Sequence, residues 1–272
     1  MASSFDSAQR RPAACLRPFI VRYGGFRANG LSHLATRGLP SRHVTVMVGL
    51  GDPFRIAGAG SFSSFVAGLH DSAGLVDTRG DIAGIHLVLT PLGARTLLNV
   101  PAGVLAGHVF HLDDMVGARV HAQLQSRLHA AQTWSERFDI LDEVLTRRLR
   151  QDDTAAELHW AWRRIATDAG MTCIENLAGE IGWSRRHLSE RFRVEIGVTP
   201  KTLARIVRFE QACALLKDAR STIAGIAAAA GYHDQSHMTR EWRTLAGCTP
   251  KTWITEELPF VQDYELAALD NE

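Results

Sequence analysis

Apolar residues recur at helical spacing through the last hundred residues of the chain. Ile174, Leu177, Ala178 and Ile181 mark one short helix that Gly182 stops. Ser184 is placed to cap a second helix, with Leu188 and Phe192 four residues apart on its buried face and Arg185, Arg186, Ser189, Glu190 and Arg193 turned elsewhere. The same pattern follows again. Ile223, Ile226 and Ala227 begin a helix, Gly231 breaks it, and Asp234 caps a helix whose buried face is Met238, Trp242 and Leu245. Between the two lies a longer helix, beginning near Pro200 and burying Leu203, Ile206, Val207, Phe209, Ala212 and Leu216.

The first half is patterned differently. Val44, Val46 and Val48 alternate within residues 42–50, and the run Gly84 to Leu89 is short, apolar and bounded by Gly and Pro, so both read as strands. Gly and Pro gather between residues 49 and 60 and mark turns. Residues 94–98 and 101–106 read as short helices behind Pro91 and Pro101. From Ala118 to Arg150, Val120, Leu124, Leu128, Phe138, Leu141, Leu145 and Leu149 give two helices broken near Thr133. Leu124, Leu128, Leu141 and Leu145 suit a dimer face or a helix layer over the chain's own sheet equally well. The first dozen residues, polar and carrying Arg10 and Arg11, are expected to be disordered.

The chain has 272 residues, more than one compact domain usually needs. The pattern therefore predicts an α+β domain over residues 1–150. An all-α domain with two helix-turn-helix units on a long linker helix follows over 152–257, and an acidic tail occupies 258–272, expected to be a solvated end.

The second helical pattern is a duplicate of the first. The segment 197–202, Gly-Val-Thr-Pro-Lys-Thr, returns as Gly-Cys-Thr-Pro-Lys-Thr at 247–252. At the same offset of fifty, Arg193 pairs with Arg243, Phe192 with Trp242, Leu188 with Met238 and Ser184 with Asp234. One residue is then dropped, and Trp183 pairs with Tyr232, Gly182 with Gly231, Ala178 with Ala227 and Leu177 with Ile226 at forty-nine. Each copy is two helices joined by a short turn containing Gly, the arrangement whose second helix can lie in the DNA major groove.

Charge supports that reading locally. Residues 184–217 carry eight basic side chains against three acidic ones, which suits a phosphate-facing surface. The whole chain has a net charge of only +1, which excludes a general polyanion binder.

At these residues the sequence resembles the AraC/XylS family of bacterial transcription regulators, over Leu177 to Lys217 and Ile223 to Trp253. The resemblance implies two recognition helices in successive major-groove faces, about 34 Å apart, with the linker helix setting the distance. Carried over residue by residue, the first helix offers Arg186, Ser189 and Glu190 to bases, with Ser184, Arg185 and Arg193 flanking them. The second offers Gln235, Ser236, Thr239 and Arg240, with His237 and Arg243 nearer the phosphates. Arg pairs with guanine, Gln with adenine, and Ser or Thr with either. Glu190 departs from the basic residue common there; it accepts from a cytosine amino group or, the reading favoured here, pairs with a neighbouring Arg. Trp183 and His187 read as packing residues beside Leu188, and Tyr232 and Trp242 as core.

In that family the N-terminal domain senses a ligand or pairs subunits. Thr90 to Gly117 resembles a sensor-like domain of some members and names no ligand. The expected partners are double-stranded promoter DNA, RNA polymerase, a small-molecule effector and a second copy of the chain.

Other chemistry finds little support. Histidines 33, 43, 70, 86, 108 and 111 include no His-x-His with a downstream Glu, so no metal site is expected. Asp113 and Asp114 beside Arg119 read as a helix cap or surface charge. Neither a phosphate loop nor a nucleophile elbow occurs, so no catalytic residue and no cofactor are expected. The alternative is an enzyme or metal-binding domain in the first half fused to a DNA-binding module. Cys15, Cys173, Cys213 and Cys248 are far apart without a CxxC, which fits reduced thiols in a cytoplasm and disfavours the related DNA-repair proteins with a metal-bound cysteine cluster. No apolar run reaches ~18 residues and no signal sequence is seen, so a soluble cytoplasmic protein without a membrane partner is expected.

Overall fold

The computed structural model describes residues 5–150, 154–217 and 222–257, with the side chains of 31–34 set aside. The acidic tail from 258 onward, His33 as a ligand candidate and the domain joint near 152 lie outside those described residues.

The first strand, β1 (Phe5–Arg10), pairs antiparallel with β2 (Ile20–Gly38), so half of the segment expected to be disordered is a sheet edge. The reason is tertiary. Helix α5, introduced below, supplies Asp139 and Asp142 to the Arg10 guanidinium at 2.6 and 2.7 Å, and its Trp134 indole donates to Asp6 at 2.9 Å. No local pattern announces those partners.

Next come β3 (Val44–Gly49), β4 (Phe54–Ile56), β5 (Gly60–Phe62), β6 (Ser64–Ala67), β7 (Gly74–Leu89) and β8 (Val109–His111). All pair antiparallel in the order β1-β2-β7-β3-β6-β8, with β4 between β5 and β7. The expected strands at 44–49 and 84–89 are present, and the second extends back to Gly74. The turn-rich stretch holds two three-residue strands between its turns. One sheet face carries Val46, Val48, Ile85, Leu87 and Leu89 into the main core; the other packs Phe26, Phe54, Phe62, Phe65 and Ile82 among themselves. That division follows from side chains alternating across a strand.

Helices α1 (Pro91–Leu98), α2 (Ala102–Leu105), α3 (Leu112–Val116), α4 (Ala118–Ala130) and α5 (Trp134–Arg148) cover the first face. Asp113 and Asp114 stand in the first turn of α3. The break near Thr133 is a capping box: its hydroxyl accepts from the Glu136 amide while the Glu136 carboxylate accepts from the Thr133 amide. Leu124, Leu128 and Leu141 are buried in this core and Leu145 lines an apolar space beside it, so these leucines cover the chain's own sheet.

Among the described residues seven helices follow: α6 (Ala156–Thr167), α7 (Ile174–Glu180), α8 (Arg185–Glu195), α9 (Pro200–Lys217), α10 (Ile223–Ala229), α11 (Gln235–Ala246) and α12 (Pro250–Glu256). Helix α6 was not expected, yet Leu158, Ala161, Trp162 and Ile165 give it a regular buried stripe. The linker helix α9 serves two cores. Leu203, Ala204 and Val207 join the large core that begins in the sheet, whereas Ile206, Phe209, Ala212, Cys213 and Leu216 join a second core around Trp242. The first helix-turn-helix unit is therefore continuous with the N-terminal domain, and the second unit is a separate packed body.

Close packing fixes the first unit against that domain. A Cβ on Gly103 of α2 would stand 2.2 Å from the Val194 carbonyl oxygen and 2.4 Å from that of Arg193, both backbone atoms of α8. Nearby, Arg95 of α1 donates to Glu195 at 2.6 and 3.0 Å. We expect Gly103→Ala to force α8 away from α2 and cost about 1–3 kcal/mol, read as a lower melting temperature. An unchanged melting curve would show that the two helices separate freely.

Candidate nucleic-acid interface

Local chemistry starts both recognition helices. The Ser184 hydroxyl accepts from the His187 amide at 3.1 Å, and the Asp234 carboxylate accepts from the His237 amide at 2.6 Å. Ahead of them the turns close through Gly182 (φ 71°) and Gly231 (φ 76°), where a residue with a Cβ would be strained. The duplicated Thr-Pro-Lys-Thr is a second pair of helix starts. Thr199 and Thr249 each accept from the amide three residues on, at 3.1 Å in both, and Pro200 and Pro250 occupy the first helical turn.

Burial sorts each recognition helix as the sequence predicts. Leu188 and Phe192 in α8, and Met238, Trp242 and Leu245 in α11, are fully enclosed. Ser184, Arg185, Arg186, Glu190 and Arg193 are exposed and Ser189 half-buried; Gln235, Ser236, Arg240 and Arg243 are exposed, with Thr239 and His237 half-buried.

The two outer faces are not equivalent in charge. In α8 the Arg186 guanidinium donates to Glu190 at 2.9 Å, the pairing favoured for Glu190, and Arg185 is bonded to Glu175. That contact from Arg186 holds the Glu190 carboxyl below its usual range. Among the described residues Arg240 and Arg243 of α11 have no such carboxylate, and neither does Arg193. Glu190→Ala should therefore free Arg186 and tighten binding to any duplex, measured by fluorescence anisotropy at low salt; unchanged or weaker binding would show that Glu190 itself contacts the nucleic acid.

His187 and His237 occupy corresponding places. Each imidazole meets the edge of the turn's aromatic ring, Trp183 at 4.5 Å and Tyr232 at 5.4 Å. His187 does pack as expected, although it remains exposed. His237 also lies 4.0 Å from Glu241.

Sequence reading missed three carboxylates that hold the units in place. Glu195 pairs with Arg95, Glu241 takes Arg205 at 3.1 Å and Arg208 at 3.6 Å, and Glu210 takes Arg42 at 2.9 Å. Each looks like an ordinary charge on an amphipathic helix, and only burial distinguishes it. A cleft of about 500 Å³ lies between the two domains, lined by His70, Asp71, His108, Arg193, Gly197 and Thr202 among others. Among the described residues no group of three His, Cys, Asp or Glu side chains is placed to hold a metal ion, and no helix is long and apolar enough to cross a membrane.

Two capped helices with polar outer faces, each behind a Gly turn and joined through one long helix, define a paired helix-turn-helix domain. Residues 177–256 match the family described as a helix-turn-helix domain. The F1 operon positive regulatory protein of Yersinia pestis is 38% identical over 72 residues, which are 26% of this chain and 24% of that relative. This part of the chain is a helix-turn-helix domain. The chain spans about a quarter of the length of that curated relative. Two solved structures of ToxT from Vibrio cholerae align along most of the chain. One, at 1.65 Å resolution, is 13% identical and covers 93% of this chain and 98% of its own, with a TM-score of 0.48. The other, unsaturated fatty acid bound wild-type ToxT from strain SCE256, is 11% identical and covers 94% and 96%, with a TM-score of 0.47.

Proposed function

We propose that this protein binds promoter DNA sequence-specifically and regulates transcription, with α8 and α11 entering successive major grooves. The observation that carries the reading is that both helices bury matching apolar faces while presenting different exposed polar ones. The shared residues hold the geometry and the unshared residues read the bases. Arg186 and Ser189 serve the first half-site, with Glu190 holding Arg186, and Gln235, Ser236, Thr239 and Arg240 serve the second, with Arg185, Arg193, His237 and Arg243 nearer the backbone. RNA polymerase is the partner such a regulator would act on, in the cytoplasm, and a second copy of the chain is a further candidate.

Small-molecule control is part of the proposal. The cleft between the domains is of a size that holds a small ligand, and it is lined by Arg193 and by the joint between α8 and α9. A molecule seated there would bear directly on the first recognition helix.

Selection of bound duplexes from a random library tests the central claim and should return a bipartite site with two half-sites about one helical turn apart. On that duplex Arg240→Ala should weaken binding roughly 10- to 100-fold while leaving affinity for random DNA nearly unchanged. Equal losses on both would reduce Arg240 to a phosphate contact. Failure to enrich any sequence would remove the reading altogether.

A further inference from the structure

Four of the six residues 37–42, at the end of β2 and in the turn beyond it, reach the linker helix, the second unit and α6. The Arg37 guanidinium bonds Glu257 and lies 3.1 Å from Glu256, both at the end of α12. The Arg37 amide also donates to Glu257, at 3.3 Å. Leu39 packs against the second unit's core. The Ser41 hydroxyl and the Arg42 amide both donate to one oxygen of Glu210 on α9, at 2.8 and 3.0 Å, and the Arg42 guanidinium reaches the other oxygen at 2.9 Å. From the same guanidinium a bond of 2.7 Å runs to the Ala166 carbonyl in α6.

We infer that residues 37–42 are a strap that fixes the spacing and rotation at which the two recognition helices meet DNA, so that Arg37 and Arg42 are positioning residues for bipartite readout. This rests on the DNA-binding reading above. The first unit shares one core with the sheet and cannot shift independently of it. The second unit has its own core and joins the rest chiefly through α9, a helix of 18 residues and about 27 Å whose Arg205 and Arg208 also hold Glu241 of α11. A single helix leaves that unit free to swing through bending and rotation about its axis. The strap supplies a second attachment, at the end of α12. Two attachments define an orientation where one does not. Glu257 is only 5% exposed, so its carboxylate depends on Arg37 for compensation.

The test uses the full chain and the bipartite duplex recovered by selection, together with the same duplex carrying one extra base pair between its half-sites. That insertion turns the second half-site by about 34° and moves it by about 3.4 Å. Wild-type protein should lose roughly 100-fold in affinity on the insertion. The Arg37→Ala/Arg42→Ala variant should bind the original site roughly tenfold more weakly and lose less than about fivefold further on the insertion. Arg37→Lys keeps the charge and should stay near wild type, while Glu257→Gln, which attacks the strap from the other side, should behave like the alanine variant. Glu257→Gln decides the matter if the double variant does not fold.

A role in stability alone would lower affinity for both duplexes in the same ratio. Variants that melt lower yet keep the wild-type 100-fold discrimination would overturn the strap and leave α9 as the sole spacer. If wild-type protein selects no sequence, the DNA-binding reading falls and takes the strap with it, a result distinguishable from the first.

Discussion

Trp242→Ala is expected to detach the second helix-turn-helix unit at a cost of roughly 3–5 kcal/mol, while the sheet and the first unit remain folded. The indole is fully buried and lies edge-on between Phe209 of the linker, at 4.7 Å, and Trp253 of α12, at 5.7 Å. Its removal opens a cavity where α9, α11 and α12 meet. No side chain of the first core is in position to fill it, because the two cores divide along α9. Hydrogen exchange should show lost protection confined to residues 206–257, and the selected duplex should be bound through one half-site only. Uniform loss of protection across the chain would instead mean that the two cores melt as one. Phe192, the counterpart of Trp242, belongs to the large core, so Phe192→Ala should destabilise the N-terminal domain as well.

Acid should destabilise the protein well before its carboxylates titrate. His43 and His86 sit where burial, with Arg42 and Arg22 close to the first and Arg22 to the second, pushes their pKa values down to about 3 and about 4. Thr45 faces the His86 ring at 3.4 Å, Ser41 faces His43 at 3.5 Å, and the edge of Trp162 faces His43 at 6.4 Å; none of these supplies negative charge. An unfolded histidine titrates near 6.5. Above that pH both states hold neutral rings and nothing is lost. As pH falls below about 6.5, the unfolded chain takes up protons that the folded chain refuses, so stability declines until the folded values near 4 and 3 are reached. Each ring keeps some exposure, which moderates the effect. Between pH 7.5 and 5 the pair should account for about 2 kcal/mol, or roughly 4–8 °C in melting temperature. His43→Gln/His86→Gln should flatten that slope. If the double variant keeps it, other groups carry the acid sensitivity.

Much of the C-terminal half was legible because its determinants are short-range. A cap such as Ser184 or Asp234 acts on an amide three residues away, Gly182 and Gly231 act where they stand, and Leu188 with Phe192 meet on one helix face. All of these interactions close within a turn or two of chain, so residue order specifies them. The duplication then confirmed each assignment against a second copy. Helix α6 carried the same kind of signal, with Leu158, Ala161, Trp162 and Ile165 on one face.

The rest depended on partners far apart in sequence. Residues 5–10 look unstructured by composition and are a strand because Asp139, Asp142 and Trp134 stand more than a hundred residues away. Leu124 and Leu141 fit a dimer face until the sheet takes them. Glu195, Glu210 and Glu257 look like surface charges, and Gly103 like an ordinary glycine of a short helix, until a neighbouring element closes over them.

Two capped helix-turn-helix units, their linker and the residues on their outer faces could be read from residue order, since each follows from hydrogen bonds and apolar contacts spanning three or four residues. That the first unit shares a core with the sheet, that the second has a core of its own, and that residues 37–42 bond α6, α9 and the end of α12 came from the three-dimensional packing alone. Those outcomes depend on which buried charge finds which partner across a hundred residues or more, and local spacing holds no record of that choice.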